Sequence, residues 1–204
     1  MSRNLVVVSG GLNHPSSTSM LAERLAAATE AALQEQGVSV TRQVIDLRDY
    51  AHDLTDNLLT FFASESLQNA KDAVAAADGL IAVTPIFSGS YNGLFKTFFD
   101  LLDPGSLEGH PTLLGATAGT ARHSLALEHA MRPLFTYLKA ATVSTAVFAA
   151  SEDWGSGGTL EGGLDSRIER AGRELSVAIS NYESDGPADP FENAPTFEDL
   201  LGEH

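Results

Sequence analysis

The sequence predicts an α/β domain whose parallel sheet carries helices on both faces. Five apolar segments alternate with five segments of helical periodicity, a pattern typical of a doubly wound sheet with right-handed crossovers. Residues 79–84 are apolar without polar alternation, as in a strand that is buried on both faces. With 204 residues, 43% of them hydrophobic, the chain is long enough for one domain with a sizeable core.

The first predicted elements surround a loop rich in glycine and hydroxyl groups. Residues 5–8 are four apolar residues in a row, which predicts a short buried strand. After the loop, residues 20–36 have helical periodicity, and Gly37 is a suitable residue to end that helix. The β-branched residues of the segment 38–47 predict the second strand.

A connection after the second strand carries an unusual number of apolar residues. It runs to about residue 62 and includes Leu58, Leu59, Phe61 and Phe62. We expect these side chains to pack onto the domain itself. Lining a pocket or burying a subunit interface would also account for them.

The later segments continue the alternation of helix and strand. Residue 133 is a proline, which should kink or break the fourth helix. Strand order 2-1-3-4-5 and the order of dinucleotide-binding domains both fit this pattern, and in either case ligands should bind at the carboxyl ends of the strands. The predicted elements are helix 64–77, strand 79–84, helix 94–102, strand 111–118, helix 124–140, strand 142–149 and helix 159–182.

The domain is predicted to span residues 1–182 and to be followed by an acidic tail, residues 183–204. The tail contains Pro187, Pro190 and Pro195 and has no Lys or Arg, so we expect it to be poorly ordered. Alternatively, its apolar side chains dock on a neighbouring subunit.

The charge and composition exclude several classes of protein. The formal net charge of -15 argues against a nucleic-acid partner and against an anionic membrane surface. The chain has no cysteine, so disulfides and cysteine-based sites are impossible. We see neither an apolar run that could span a membrane nor a signal peptide, and we expect a cytoplasmic protein.

The loop after the first strand favours a phosphate. It offers flexible Gly10 and Gly11 and several hydroxyl groups, and it leads into a helix whose N-terminus attracts anions. Neither the Walker pattern nor G-x-G-x-x-G is present. An ordinary strand, capping serine and helix would also produce this sequence. The hydroxyl-bearing residues are Ser9, Ser16, Ser17, Thr18 and Ser19.

The loop after the third strand has the features of a surface for a flat ring. Gly89 and Gly93 allow close approach of the backbone, Pro85 stiffens the turn, and Phe87 or Tyr91 can pack on an aromatic system. A tight turn whose aromatic residues close the core is the alternative interpretation.

Taken together, the loops resemble those of the NAD(P)H-dependent FMN reductases of the flavodoxin-like fold. That family carries a T-P-x-Y-x-x-S-x-x-G-x-L-K type of segment after its third strand, and residues 84–96 resemble it, with Phe87 in place of the tyrosine. Residues 117–123 look like its third flavin loop. The resemblance covers about residues 4–182 and implies strand order 2-1-3-4-5. Residues 124–138 are similar to an actinobacterial branch whose members partner flavin-dependent monooxygenases.

The resemblance implies that FMN and NADPH or NADH bind, that no acid–base dyad and no metal is needed, and that the chain forms a homodimer or homotetramer. Arg122 and His123 would contact NAD(P)H phosphate or neutralise charge on the reduced flavin, although Arg122 would serve equally as an ion-pair partner of Glu128. The implied flavin-contacting residues are Ser9, Leu12, Ser16, Ser17, Thr18, Pro85, Ile86, Phe87, Ser88, Gly89, Gly119, Thr120, Arg122 and His123.

One departure from the family concerns the first loop. Many relatives place an Arg there, whereas this chain has Asn13 and His14 and no Lys or Arg between residues 4 and 23. Neutral donors and the helix end would then hold the phosphate, with His14 as a candidate cation. Weak, exchangeable FMN binding would suit an enzyme that uses flavin as a substrate.

Four functions therefore compete at this point. The first is an FMN reductase that supplies reduced flavin to a monooxygenase. The second is a quinone or azo reductase with tightly bound FMN, and the third is an electron-carrying flavodoxin, which the acidic charge would suit. The fourth is a nucleotide-binding regulator without a redox role.

Overall fold

The computed structural model describes residues 2–155 and 163–183, and it contains a seven-stranded sheet. The order β2-β1-β3-β5 continues at one edge into β6 and β7, which both pair with β5. All of these pairs are parallel, and only the short β4 is antiparallel, to β3. The strands are β1 (Ser2–Ser9), β2 (Ser39–Asp46), β3 (Gly79–Phe87), β4 (Ser90–Tyr91), β5 (Pro111–Ala118), β6 (Ala141–Thr142) and β7 (Val147–Ala150).

Helices cover both faces of this sheet. Side chains of α1 and α6 pack with one side of the strands in one core layer, and those of α2 to α5 pack in the other. The predicted flavodoxin-like class and the order 2-1-3-4-5 are confirmed. The helices are α1 (Ser17–Glu35), α2 (Ala51–Thr60), α3 (Glu65–Ala75), α4 (Gly93–Asp100), α5 (Arg132–Tyr137) and α6 (Leu164–Ser180).

The connection after β2 differs from the prediction because most of it forms helix α2. Leu54 and Asn57 are the buried residues of this helix. The expected packing of the apolar residues onto the domain is wrong, since their exposed fractions are 50, 72, 88 and 81% for Leu58, Leu59, Phe61 and Phe62. We call these four residues the apolar tip.

The predicted fifth strand is divided into β6 and β7. Between them, side chains rather than a strand partner satisfy several backbone groups. Arg132 donates to the carbonyl oxygens of Val143 and Ser144, and the N–H of Thr145 donates to a carboxylate oxygen of Glu174. Such side-chain contacts compete with ladder hydrogen bonds, and the strand is interrupted where they occur.

The predicted helix 124–140 is also interrupted. A 3-10 turn (Ala121–His123) and a π-helical turn (Leu127–Met131) precede α5. Pro133 is the second residue of α5, which directly follows the π-helical turn, so the predicted break in the helix lies beside the proline.

The last predicted helix is α6. Residues 159–162 of the prediction and the tail from residue 184 onward lie outside the described residues. Within the described residues, no helix has the length and apolar character needed to cross a bilayer.

Candidate flavin site

A cleft of about 220 Å³ lies at the carboxyl ends of β1, β3 and β5. The topology explains its position, because the central strands β1 and β3 are neighbours and their following loops meet at one edge of the sheet. Its lining residues are Leu12, Asn13, Pro15, Ser16, Ser17, Thr18, Pro85, Ile86, Phe87, Thr117, Ala118, Gly119 and Ser151.

The first loop turns tightly into α1. A Cβ atom at Gly11 would lie 2.2 Å from Ser16 Oγ, so only glycine fits there without displacing that side chain. Ser16 caps the helix, and its Oγ accepts a hydrogen bond from the N–H of Ser19 at 3.1 Å. Among the described residues, the N–H groups of Ser17 and Thr18 have no acceptor. The first turn of α1 therefore presents free donors and a positive dipole end to the cleft.

Several hydroxyl groups predicted to bind phosphate also hold the loops together. Ser9 is buried outside the cleft lining, and its Oγ lies 3.1 Å from Ser19 Oγ and accepts from the N–H of Gly11 at 3.3 Å. Buried Thr18 and Thr117 share a hydrogen bond of 2.7 Å between their hydroxyl oxygens. This bond ties the start of α1 to the end of β5.

The second loop is a hairpin rather than an irregular turn. Strand β3 continues to Phe87, reverses at Ser88 and Gly89, and pairs with β4. Both turn residues have positive φ, 51° and 85°, the conformation that tight hairpins require and that glycine adopts without strain. Pro85, Ile86 and Phe87 line the cleft, whereas Ser88 and Gly89 do not.

Asn92 joins the first two loops, and sequence reasoning did not single it out. Its side chain is buried, donates to the carbonyl oxygen of Gly10, and accepts from the N–H of Phe95 at 2.8 Å as the cap of α4. Its own N–H donates to Thr84 Oγ1 at 3.2 Å. An asparagine directly before a helical pattern is the sequence signal that could have identified it.

The third loop places the side chains of Arg122 and His123 outside the cleft lining. Gly119 lines the cleft, while Thr120, Arg122 and His123 do not. Thr120 Oγ1 accepts from the N–H of Arg122 at 3.4 Å, and the Arg122 and His123 side chains are exposed. The alternative role of Arg122, an ion pair with Glu128, is not observed in the described residues.

The partner of Glu128 is Arg132. Arg132 lies one helical turn after Glu128, and its Nε approaches Glu128 Oε2 to 2.6 Å. The Arg132 guanidinium lowers the pKa of Glu128, and Glu128 in turn raises the pKa of Arg132.

No charged residue lines the α1 end of the cleft, among the described residues. Burial raises the pKa of Asp46, which pairs with Ser9 across β1 and β2, while a hydrogen bond from the N–H of Arg48 and the charge of His14 oppose that shift. His14 is exposed and does not line the cleft. No lysine or arginine lines it either, among the residues the structure describes.

Five lining residues were not on the list of expected contacts: Asn13, Pro15, Thr117, Ala118 and Ser151. Asn13, Pro15 and Ala118 adjoin predicted contacts and Thr117 lies two residues before Gly119, so the same loops already pointed to these four. Ser151 follows β7, and only the packing of β7 beside β5 brings it to the cleft.

The arrangement fits a phosphate-bearing flavin. One end offers unpaired N–H groups and the exposed Ser17 hydroxyl to an anion. The other end offers the apolar surfaces of Pro85, Ile86 and Phe87 to a flat ring, and at Gly119 no side chain obstructs approach.

Comparisons with known proteins agree with this geometry. Residues 3–155 match the model of the NADPH-dependent FMN reductase family. FMN reductase (NADPH) of Pseudomonas aeruginosa is 38% identical over 169 residues, which cover 82% of this chain and 87% of the relative. NADH-dependent FMN reductase SfnF of Pseudomonas putida is 37% identical over 81% of this chain and 87% of its own length.

Solved structures show the same fold. An oxidoreductase from Corynebacterium diphtheriae superposes with a TM-score of 0.85 at 42% identity, covering 89% of this chain and 99% of that one. The apo form of the NADH:FMN oxidoreductase EmoB has a TM-score of 0.71 at 27% identity, with coverage of 90% and 91%. These relatives are reductases, which decides against the electron carrier and the regulator. The chain belongs to the NADPH-dependent FMN reductase family and is an NAD(P)H:flavin oxidoreductase.

Proposed function

We propose that the protein binds FMN as an exchangeable substrate, reduces it with NADPH or NADH, and supplies the reduced flavin to a partner monooxygenase. The observation that carries this proposal is the absence of Lys and Arg from the described lining of the cleft. A dianionic phosphate held by neutral donors and a helix end lacks the strong charge-assisted contacts that favour permanent retention.

The chain's own residues bind and orient in this proposal. The first turn of α1, with Ser16, Ser17 and Thr18, receives the phosphate, while Ser9 keeps the loop in shape. Leu12, Pro85, Ile86, Phe87 and Gly119 support the ring. FMN, when bound, supplies the redox chemistry by accepting the hydride that the dihydronicotinamide loses as it is oxidised. Positioning is then the protein's main contribution.

The test of the phosphate end uses two substitutions at one position. Ser17→Asp places a carboxylate beside the helix N-terminus, where it suits the dipole and should not harm folding. Ser17→Asn is the matched neutral control. We expect Ser17→Asp to weaken FMN binding at least about tenfold, or about 1.4 kcal/mol, and to leave riboflavin binding unchanged. Equal effects of Asp and Asn, or equal losses for FMN and riboflavin, would place the phosphate elsewhere.

Exchangeability is tested separately, with the wild-type protein. The protein is mixed under anaerobic conditions with FMN in about fifty-fold excess over the protein and with NADPH at least equimolar to the FMN, and flavin bleaching is followed at 450 nm. Bleaching of the whole flavin pool, together with loss of FMN during gel filtration, is the expected result. Reduction of one equivalent, retained through filtration, would instead indicate the quinone or azo reductase with resident FMN.

The apolar tip supports the proposed homo-oligomer. It places four large apolar side chains in solvent within five positions, Phe61 with a positive φ of 65°, and no charged residue lies among them. Contiguous patches of this kind usually mark interfaces. A second copy is the occupant that we propose, because a two-fold contact would bury the same uncharged patch on both chains.

Light scattering tests the oligomer. The double variant Phe61→Ser/Phe62→Ser should shift the mass toward the monomer, while Tyr137→Ser, which alters a side chain that is 85% exposed on α5, should not. An unchanged mass in the double variant would exclude the tip as the contact.

A further inference from the structure

The positive charges of this acidic chain are almost all neutralised locally. The sequence has 12 Lys and Arg against 27 Asp and Glu. In the described residues, nine of the 12 cations lie within 4.0 Å of a carboxylate. Of the other three, Arg170 donates from its Nε to Thr145 Oγ1 at 3.1 Å. Only Arg48 and Arg122 have no side-chain partner among the described residues.

These two arginines follow the strands on either side of the central pair β1 and β3. Arg48 follows β2, beside the loop that presents donors to the flavin phosphate. Arg122 follows β5, three residues after Gly119, which lines the cleft. Because the order is β2-β1-β3-β5, the hairpin that supports the ring lies between them. Arg122 therefore follows the strand on the other side of β3 from β1, at the end of β5, where Thr117 bonds Thr18 and Gly119 lines the cleft.

The backbone holds Arg122 where a ligand can reach it. The Thr120 hydroxyl caps the 3-10 turn by accepting from the N–H of Arg122 at 3.4 Å, while the Arg122 side chain remains in solvent. A guanidinium that is already exposed and without a carboxylate partner pays no cost of breaking an ion pair when it binds an anion. His123, also exposed, is the neighbouring donor.

We infer that Arg122 binds a phosphate group of the nicotinamide dinucleotide and so sets the affinity for that substrate rather than for FMN. The inference rests on the proposed flavin site, since it takes the nicotinamide to lie against a ring supported by Pro85–Phe87. The remainder of the dinucleotide then extends past the rim with its negative phosphates. A planar guanidinium can donate two parallel hydrogen bonds to one phosphate, and Arg122, three residues after the lining residue Gly119, is an exposed cation without a side-chain partner among the described residues.

Two groups of the dinucleotides can accept these hydrogen bonds from the Arg122 guanidinium. They are the pyrophosphate, present in NADH and NADPH, and the 2′-phosphate, present in NADPH alone. Comparison of the two dinucleotides with reduced nicotinamide riboside, which has no phosphate, separates them. A pyrophosphate contact affects NADH and NADPH equally, a 2′-phosphate contact affects NADPH only, and neither affects the riboside.

The experiment measures kcat/KM for the three reductants at saturating FMN in the full-length enzyme. Arg122→Ala should lower kcat/KM at least about tenfold for the dinucleotide or dinucleotides it contacts, through KM and with kcat retained. Arg122→Lys should recover part of the loss because it keeps the charge. The matched control is Arg173→Ala, which removes the same charge from an exposed position on α6, where the nearest carboxylate is 4.0 Å away. The dissociation constant of FMN should not change in either alanine variant.

The inference fails if Arg122→Ala changes neither dinucleotide, if it reduces riboside turnover to the same extent, or if Arg173→Ala reproduces its effect. These outcomes differ from a failure of the proposed flavin site. That failure would show in the wild-type and Ser17 proteins, as FMN binding that is insensitive to charge at position 17, whatever residue occupies position 122.

Discussion

The two faces of the sheet are covered in different ways. On the α1/α6 face, two long helices pack on aliphatic strands, and they approach each other so closely that a Cβ atom at Gly172 would lie 2.8 Å from the backbone of Ala28. On the α2–α5 face, four shorter helices and a π-helical turn pack around the buried rings of Phe95, Phe98, Phe99 and Phe135.

The two faces should therefore differ in the kind of substitution that destabilises them. The α1/α6 face depends on small residues that permit close helix contact, so extra atoms should harm it most. The α2–α5 face depends on large rings that fill space between short elements, so lost atoms should harm it most. It also carries the ring-supporting hairpin and the apolar tip, which places most of the irregular structure on one side of the molecule.

The largest effect should come from truncating an aromatic side chain. Phe95 is fully buried, and its ring centroid lies 4.7 Å from that of Phe99 and 6.2 Å from that of Phe135. We expect Phe95→Ala to lower the free energy of unfolding by about 3–5 kcal/mol, measured by urea denaturation. Tyr137→Ala, at an exposed ring, should cost less than about 0.5 kcal/mol. A loss below about 1 kcal/mol for Phe95→Ala would show that the face does not depend on its rings.

The next effect should come from Asn92, which attaches the hairpin to the first loop. Asn92→Ala removes the cap of α4 and leaves the Gly10 carbonyl oxygen without its donor, so we expect a loss of about 2–3 kcal/mol. FMN binding should weaken as well, because two loops of the cleft lose their connection. Asn92→Asp keeps the cap acceptor but sets a buried carboxylate oxygen against the Gly10 carbonyl oxygen, so it should be at least as damaging as Ala in both measurements. Equal stability of Ala and wild type would refute the role.

A smaller loss should follow from one added methyl group on the α1/α6 face. Gly172→Ala brings a Cβ into contact with the backbone of α1, and overpacking of this kind should cost about 2 kcal/mol. The same change at Gly93, in the first turn of α4 with open space around it, should be neutral or stabilise by up to about 1 kcal/mol. If the two glycines respond alike in thermal unfolding, the close helix contact does not limit this face.

The smallest effect concerns pH and a buried imidazole beyond the end of α6. His110 packs edge-on against Tyr182 at 5.4 Å, and its Nδ1 has no hydrogen-bond partner among the described residues. Burial lowers its pKa from 6.5, and Asp78 offsets part of that shift. The unfolded chain then takes up a proton that the folded protein resists, so stability should fall as the pH drops below 6.5. His110→Gln should flatten this dependence, and an identical pH profile in wild type and variant would contradict it.

The sequence predicted the α1/α6 face better than its counterpart. Helix α1 and strand β3 have long, regular apolar patterns, and local periodicity determines their type. Helix α2 was missed because only Leu54 and Asn57 are buried, so no apolar stripe marks it. The division of β6 from β7 depends on Arg132 and Glu174, which are distant in sequence, and no local pattern contains that information.

The site was predictable at the level of loops and less so at the level of atoms. Gly11, Ser16 and the hairpin residues follow directly from local rules for turns and caps. That Thr18 bonds Thr117, or that Ser151 reaches the cleft, depends on which strands are neighbours. Whether a hydroxyl faces a ligand or another hydroxyl is likewise decided by tertiary packing.

The divided edge strand has a consequence for how the protein behaves in a crowded solution. An uninterrupted edge offers a row of free peptide groups onto which a foreign strand can add. Here β6 has two residues and β7 four, and Arg132 and Glu174 occupy peptide groups in the gap between them. At the opposite edge, β2 carries Arg42, which pairs with Glu23 and Glu30. Each border of the sheet thus resists growth into an aggregate, one by being short and already bonded, the other by being charged.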